Sequence, residues 1–526
     1  MAQPRHSLKS VAAYVGVCAF ACLVRWPIAA VPLERDEGEY AYIAQRWWLG
    51  EVPYRDSFDQ KPPGAFVAYA LIEKVFGTSP AAIHWGTQVY TFGTLALIFV
   101  VGRKLFGPIE GLMAALLAVY MTADLCVLGQ SANTETFMIL PLTASFLASL
   151  RARDRHSAGW ALLAGVCGSL ALLCKQVALP NVALSAALLM AAPGAPWRLT
   201  IAFALGGLLG LAPTIAYFAA VRSLPQFWDC VIAHNLTYAQ RVPWSDYPFW
   251  FWLSFRGVLG QWWPILSLAA VAVLSEAGAR SGLTEAGYRR PRWIVLFWLV
   301  ASAAGVSIGG YFRGHYYVQV IPPLAVLAGR GAMLVAQRQR RPERFAVGLT
   351  LAAIAWGVIV APWYYLYGTA EQKVGWIYAG CPFAESVPVA AYLRKHSAPE
   401  EATYIFGSEP QILYYAVRPS ASRYIFAYPL MTPFPDTRDR QREVIQELTA
   451  RPARFLVYLH LEGSFLADDG TRTDLREFID GLCRTDYRPV VWVTAGDAAV
   501  RPWPVEPRPS PEGATITIWE RRTIPR

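Results

Sequence analysis

Apolar residues in the first two thirds of the chain form long runs that are separated by short polar segments. Each run is close to the ~20 residues that an α-helix needs to cross a bilayer. The runs cover residues 11–31, 83–102, 107–123, 134–150, 158–174, 178–192, 199–221, 249–274, 292–310, 316–334 and 345–367. The pattern predicts a polytopic, all-α membrane protein with about eleven transmembrane helices.

The pattern changes after residue 368, where proline and charged residues become more frequent and the apolar runs become shorter. Alternating apolar and polar positions there predict strands, and helical spacing predicts helices between them. The strands are expected at 402–406, 423–426, 454–459, 489–493 and 514–519, and the helices at 387–395, 410–416, 440–450 and 475–483. The sequence therefore predicts two parts, a membrane domain at 1–368 and an α/β domain at 369–526.

Clusters of basic residues fall on one side of the predicted membrane helices. If the N-terminus is cytoplasmic, that side is the cytoplasm, as the positive-inside rule requires. The clusters are Arg103-Lys104, residues 151–155, Arg198, residues 289–292 and residues 330–344. This orientation predicts a multi-pass protein of the cell membrane whose α/β domain is extracytoplasmic.

The net charge of +10 belongs to the membrane part, because residues 369–526 hold 20 acidic and 19 basic side chains. A basic surplus confined to that part is typical of cytoplasmic loops, and it does not indicate a nucleic-acid partner. The eight cysteines have no metal-ligand spacing, so neither a metal nor a cofactor is predicted.

The first outer loop, residues 32–82, is too long to be a simple connection between two membrane helices. Two amphipathic helices are expected in it, at 36–49 and 61–76, and both are predicted to lie in the plane of the membrane interface. The first of them has an aromatic face that consists of Tyr40, Ile43, Ala44, Trp47 and Trp48.

Ionisable residues of this loop are candidates for chemistry, since charged groups beside a membrane are costly. Asp36 either caps the first helix or acts as a general base, and Glu37 either favours the helix dipole or is the second candidate for the base. Lys61 follows Asp59 and is one of only seven lysines in the chain. It either extends to the interface or binds a lipid phosphate.

Two further groups of polar residues are expected on the same outer side. Glu135 begins the fourth span and, taken alone, pairs with the helix dipole, while Lys175 marks either a turn or a phosphate contact. The other group precedes the tenth span and suits either an aromatic belt or a site. Cations are disfavoured on the outer side, which favours the site. This group consists of Arg313, His315, Tyr316 and Tyr317.

In their order along the chain, these motifs resemble those of the GT-C superfamily. The branch that fits best holds the protein O-mannosyltransferases and the bacterial aminoarabinose transferases of lipid A. The resemblance rests on Asp36-Glu37 with Tyr40, Gly50, Pro53-Tyr54, Lys61-Pro62-Pro63, His315-Tyr316-Tyr317 and Pro322-Pro323. It implies the GT-C fold, with the catalytic domain at 1–368. It also implies an enzyme that moves a sugar from a polyprenyl phosphate to an extracytoplasmic glycan, lipid or protein.

The chemistry that the resemblance implies fits these residue types. A sugar phosphate already carries a good leaving group, since the second pKa of a phosphate monoester is about 6. Transfer then needs one carboxylate base for the acceptor and cations for the phosphate, and direct displacement inverts the anomeric carbon. The resemblance makes Asp36 and Glu37 catalytic. The site or the acceptor is supported by Tyr40, Asp59 and Glu135, and the donor phosphate and lipid are bound by Lys61, Lys175, Arg313, His315, Tyr316 and Tyr317.

Other classes of membrane protein agree less well with the sequence. An acyltransferase needs a catalytic Ser/His or His set near the lipid, and His315 has no second histidine beside it. A channel or secondary transporter would have two similar halves or spans broken at matching positions, and the sequence has neither. The alternative is a non-catalytic membrane protein that binds or flips a lipid-linked sugar, which would tolerate the loss of Asp36.

Overall fold

The computed structural model describes residues 4–194, 196–275, 291–465, 467, 471–494, 496–503 and 513–522. Within these ranges, a helix occupies each of the eleven predicted membrane runs. The helices are Pro4–Arg25, Pro80–Leu105, Pro108–Ala123, Thr134–Arg155, Ala158–Cys174, Leu179–Met190, Pro196–Ala220, Tyr247–Ser275, Pro291–Ser307, Ile321–Ala336 and Pro342–Val360. Arg289-Arg290, part of one predicted basic cluster, lies outside the described residues.

Five segments of the described chain are long and apolar enough to cross a membrane: Pro80–Leu105, Pro196–Ala220, Trp244–Ser275, Gly314–Ala336 and Pro342–Val360. Shorter apolar helices of 10–17 residues accompany them. These helices support a multi-pass membrane protein. The number of crossings, about eleven on the ~20-residue criterion, stays a prediction.

Short helices lie between the membrane helices and ahead of the C-terminal part. Three of them follow one another in the predicted outer segment 222–248, and the third, His234–Ala239, ends beside the α/β part. A 3-10 helix leads directly into Ile321–Ala336 and carries the aromatic residues of the predicted site. These short helices are Leu224–Trp228, Asp229–Ala233, His234–Ala239, Gly314–Val320, Pro362–Tyr365 and Ala370–Ile377.

The first outer loop carries two helices close to the predicted positions, Arg35–Trp48 and Gly64–Phe76. We call the first of these the Asp36 helix. Glu34 is its N-cap, because the Glu34 carboxylate accepts a hydrogen bond from the Asp36 N–H at 3.1 Å. Glu37 completes the capping box by accepting from the Glu34 N–H at 3.3 Å. The cap is therefore Glu34 and not Asp36.

The Asp36 helix does not lie on the membrane surface. Residues 37–44 are all buried, because the helix is packed between the membrane helices and the C-terminal part. The predicted interface position is therefore wrong for this helix, whose polar residues have partners inside the protein. The second helix of the loop does keep an exposed apolar stripe at four-residue spacing, as an interfacial helix has, formed by Val67, Leu71 and Val75.

The C-terminal part contains a mixed sheet whose strands are β1 (Thr403–Phe406), β2 (Phe455–Leu459), β3 (Tyr487–Thr494), β4 (Asp497–Pro502) and β5 (Ala514–Arg521). Their order in the sheet is β1-β2-β5-β3-β4. β1 and β2 are parallel, and the other neighbours are antiparallel. The helices of this part are Ser386–His396, Gln411–Ala416, Tyr428–Met431, Thr437–Ala450, Glu462–Phe465 and Asp474–Thr485.

Four of the five predicted strands are confirmed as β1, β2, β3 and β5. The strand predicted at 423–426 is wrong, because the backbone there bonds to the first outer loop. The Phe58 N–H donates to the Arg423 carbonyl at 2.7 Å. β4 was not predicted, since residues 497–502 contain one β-branched residue and no aromatic residue.

The first outer loop and the C-terminal part share one buried interface. The Leu33 N–H donates to the Tyr415 hydroxyl at 2.9 Å, and the Ser420 N–H donates to the Tyr42 hydroxyl at 2.8 Å. At Gly38 the Asp36 helix approaches so closely that an added Cβ would lie 2.5 Å from the Cβ of Gln411. The loop is therefore fixed by the C-terminal part as well as by the membrane helices.

Candidate active site

Asp36 lies in the first turn of the Asp36 helix and is half-buried. An acidic side chain is favourable at this end of a helix, because the N–H groups of the first turn are positive. Its carboxylate receives one long hydrogen bond among the described residues, from the Tyr40 hydroxyl at 3.5 Å. The Asp36 oxygens are therefore available to a substrate.

Charges around Asp36 keep its carboxylate ionised. Burial alone would raise the pKa of Asp36. Nearby cationic side chains, with Lys61 first among them, lower it by more than burial raises it, so the pKa lies below its ordinary value. At neutral pH the group is an anion, which is the form in which a carboxylate accepts a proton.

Lys61 is the cation with the largest effect on Asp36. Burial lowers the pKa of Lys61, but the carboxyl groups of Asp36, Asp59 and Glu39 raise it by more, so the ammonium stays charged. Its Nζ lies 5.8 Å from the centre of the Tyr40 ring. Within the described residues no acceptor is hydrogen-bonded to this Nζ, so the ammonium can bind an anion.

Glu39 and Asp59 form a buried carboxyl pair that the sequence analysis did not single out as a pair. Glu39 is 3% exposed and Asp59 is 0% exposed, and within the described residues each has a buried carboxyl oxygen without a hydrogen-bond partner. Burial raises the pKa of both groups, that of Asp59 to about 6 and that of Glu39 well above its ordinary value. The Asp59 carboxylate also accepts from the Lys61 N–H at 2.7 Å.

Glu135, Lys175, His315 and Tyr316 come together in a second cluster. The Lys175 ammonium forms an ion pair with the buried Glu135 carboxylate, and it lies 4.0 Å from the centre of the Tyr316 ring. The His315 Nε2 lies 4.0 Å from the Glu135 Oε1. The positive charge of Lys175 is thus largely balanced by Glu135, so a ligand phosphate would find it already paired.

Tyr317 and Arg313, the other residues of the predicted aromatic cluster, have different surroundings. Tyr317 is buried beside Phe255, with their ring centres 6.4 Å apart. Arg313 is exposed, and its guanidinium carbon lies 5.9 Å from the centre of the Tyr311 ring. Within the described residues it makes no ion pair with Asp36 or Glu135.

Glu37 faces the interior instead of the site. Its Oε1 accepts from the Ala132 N–H at 2.7 Å and lies 2.9 Å from the His84 Nε2. The other ring nitrogen of His84 is 2.8 Å from the Ala29 carbonyl. Because both nitrogens face oxygen atoms, a proton lies between His84 and Glu37. The Glu37 carboxylate is therefore occupied by internal partners, unlike that of Asp36.

Comparison with known proteins gives three kinds of match. Residues 60–218 match the family described as dolichyl-phosphate-mannose-protein mannosyltransferase. The chain is 24% identical over 338 residues to the undecaprenyl phosphate-alpha-4-amino-4-deoxy-L-arabinose arabinosyl transferase 2 of Pseudomonas fluorescens. That alignment covers 60% of this chain and 57% of the relative, so the chain spans little more than half the length of the curated relative that it matches.

The fold is shared with a solved structure over nearly its whole length. The crystal structure of ArnT from Cupriavidus metallidurans bound to undecaprenyl phosphate superposes with a TM-score of 0.60, at 16% identity, over 97% of each chain. The fold that the sequence resemblance implies agrees with this match. A more distant structure is the oligosaccharyltransferase AglB of Archaeoglobus fulgidus with an inhibitory peptide and a dolichol-phosphate. It has a TM-score of 0.50 and 12% identity over 96% of this chain and 75% of that chain.

These matches bear on the predicted fold. Apolar helices followed by a small sheet agree with the predicted arrangement, and the fold matches that of the solved structure. Within the described ranges, no three His, Cys, Asp or Glu side chains are grouped as metal ligands are.

Proposed function

We propose that this chain is an integral-membrane glycosyltransferase that moves a sugar from a polyprenyl phosphate to an extracytoplasmic acceptor, with inversion at the anomeric carbon. The observation that carries the proposal is the pair of Asp36 and Lys61. An ionised carboxylate and a charged ammonium both lie beside Tyr40, and neither is closed by a strong internal bond. They supply the base and the phosphate-binding cation that the reaction needs.

The donor class follows from the relatives together with the charge of the site. The curated relative is named for an undecaprenyl-phosphate sugar, and the similar solved structures contain undecaprenyl phosphate or dolichol-phosphate. In this chain Lys61 binds the phosphate. Tyr316 and His315, beside the Lys175–Glu135 pair, form a wall against which sugar or isoprenoid packs.

The reaction is a direct displacement. Asp36 takes the proton from an acceptor hydroxyl or amine as the acceptor atom forms a bond to the anomeric carbon. The bond from that carbon to the phosphate oxygen breaks, and its electron pair leaves with the phosphate, which Lys61 stabilises. A bound phosphate adds negative charge near Asp36, which raises the pKa of Asp36 and makes it a stronger base. Glu37, whose carboxylate is occupied, holds the helix in place, and Arg313 lies at the exposed edge.

The orientation completes the proposal. With a cytoplasmic N-terminus, the basic clusters lie in the cytoplasm, and the site with the α/β domain at 369–526 lies outside. A reporter that is active only after export, fused after residue 526, is expected to be active. Activity from a cytoplasm-only reporter at that position would contradict this orientation.

The test is a transfer assay with purified protein in lipid vesicles. Radiolabelled polyprenyl-phosphate sugars are added with a membrane extract, and the product that gains label is isolated. The wild type is expected to transfer label, and Asp36→Asn is expected to transfer it at least about a hundredfold more slowly. If the wild type binds the donor but moves no more label than Asp36→Asn with every sugar and extract, the chain is the non-catalytic binding or flipping protein.

A further inference from the structure

The two chain neighbours of Asp36 are held by different parts of the molecule. Arg35 is bound by the C-terminal part, and Glu37 is bound by the membrane part. Asp36 lies between these two attachments, on a helix turn whose N–H groups have no intrahelical acceptors.

Arg35 is fixed by three groups of the C-terminal part. Its Nε donates to the Ser408 carbonyl at 2.6 Å, and its terminal nitrogen donates to the Glu409 carboxylate at 3.2 Å and to the Gly463 carbonyl at 3.2 Å. Glu409 is completely buried, and Arg35 is the cation paired with it in the described chain. The Glu409 carboxylate is itself held, since it accepts from the Ser408 N–H at 2.8 Å and from the Ser464 hydroxyl.

The opposite attachment is equally buried. Glu37 is 1% exposed and His84 is 3% exposed, and both belong to the packing of the first membrane helices against the segment that begins with Ala132. One residue further along, Gly38 meets the backbone of Gln411. The turn that carries Asp36 therefore cannot shift toward either side without breaking an ion pair or a close contact.

We propose that Glu409 is a positioning residue, which acts through Arg35 to hold the Asp36 carboxylate in line with the acceptor. The C-terminal part is then a component of the catalytic centre. The inference rests on the proposed function of Asp36 as the base. A misplacement of ~1 Å costs on the order of a hundredfold in rate, so loss of this attachment affects the chemical step more than donor binding.

The experiment compares Glu409→Gln with the wild type in the reconstituted transfer assay. The substitution keeps the size and removes the charge. The expected result is a kcat lower by roughly tenfold to a hundredfold with a donor Kd within twofold, because Lys61 is untouched. The double variant Arg35→Met/Glu409→Gln is expected to lose no more than the worse single variant, because both act through one contact.

Glu520→Gln is the matched control. Glu520 pairs with Arg454 and Arg488 on the sheet of the same part, away from Asp36. Per folded enzyme its kcat is expected to equal that of the wild type. A kcat for Glu409→Gln within twofold of the wild type, or a loss equal to that of Glu520→Gln, would overturn the proposal.

Hydrogen exchange separates this inference from the proposed function. In Glu409→Gln the amides of residues 35–38 are expected to exchange at least tenfold faster, and those of the control variant are not. Unchanged exchange would overturn the positioning role whatever the activity. Faster exchange with no transfer by the wild type from any donor would support the attachment and overturn the proposed function instead.

Discussion

Two lysine–carboxylate groups lie in the candidate active site of this protein, and they are built differently. In one, the Lys175 ammonium bonds directly to the Glu135 carboxylate, and both are buried. In the other, Lys61 and Asp36 influence each other's pKa without a bond between them. A closed pair satisfies its own charges and shapes the site, while an open pair leaves both charges for substrates. This difference separates the residues that we propose to bind and react from those that support them.

Removal of the open carboxylate is expected to have the largest effect on activity. Asp36→Asn keeps the size of the side chain and leaves the cap to Glu34, so the protein should fold. General-base catalysis contributes roughly 10²–10⁴-fold, and kcat should fall by that factor. The measurement is single-turnover transfer with saturating donor. Turnover close to that of the wild type would place the base elsewhere.

Breaking the closed pair should affect folding first. Glu135→Gln leaves the Lys175 ammonium buried without a counter-ion, which typically costs about 3–5 kcal/mol. Thermal unfolding in detergent should show a clear loss of stability, and Glu135→Gln/Lys175→Met should recover part of it. If the single variant is as stable as the wild type and only loses donor binding, this pair is open as well.

The carboxyl pair beside Lys61 predicts a dependence of stability on pH. The pKa of Asp59 is raised by burial to about 6, so the folded state binds a proton more tightly than the unfolded state does. The contribution of Asp59 to the free energy of unfolding is present at low pH and is lost as the pH rises from about 4 through 6. The loss amounts to about 1.4 kcal/mol for each unit by which the pKa is raised. Thermal unfolding between pH 4 and 8 checks this, and Asp59→Asn should show a smaller decline. Identical declines would contradict the raised pKa of Asp59.

Lys61→Ala should weaken the binding of a polyprenyl phosphate by roughly tenfold to a hundredfold, since a hydrogen bond to a charged group contributes about 1.5–3 kcal/mol. Binding of the uncharged polyprenol should not change. Lys74→Ala is the matched control, because Lys74 is an exposed lysine of the same loop that contacts the Trp48 ring. Arg313→Ala should have a smaller effect than Lys61→Ala, as its guanidinium is exposed. Equal losses for phosphate and polyprenol would assign Lys61 to folding.

Local sequence signals predicted the elements that depend on local physics. Pro62-Pro63 and Gly77 bracket the helix Gly64–Phe76, and apolar run length located the membrane helices. The predicted membrane topology placed Glu135, Lys175 and His315 on the same side of the membrane, and the structure brings these three side chains together. Their mutual contacts are packing outcomes that no local pattern specifies.

The parts that the sequence did not predict depend on partners far along the chain. His84 lies inside an apolar run, 47 residues after the Glu37 that it meets. The amphipathic pattern of the Asp36 helix predicts a helix on a surface. The helix is buried because the C-terminal part covers it, and the local sequence carries no signal of that distant partner. Glu39 stands three residues after Asp36, and this spacing on one helix face was the available signal for its place in the site.

The contact between Arg35 and Glu409 also sets an order of assembly. The two residues are 374 positions apart, so the ribosome adds Glu409 roughly 20–75 s after Arg35 at about 5–20 residues per second. During that interval the first loop has already been synthesised, but the C-terminal surface that covers the Asp36 helix has not. A nascent chain therefore makes its first helices well before the partner that fixes Arg35, beside Asp36, has been synthesised.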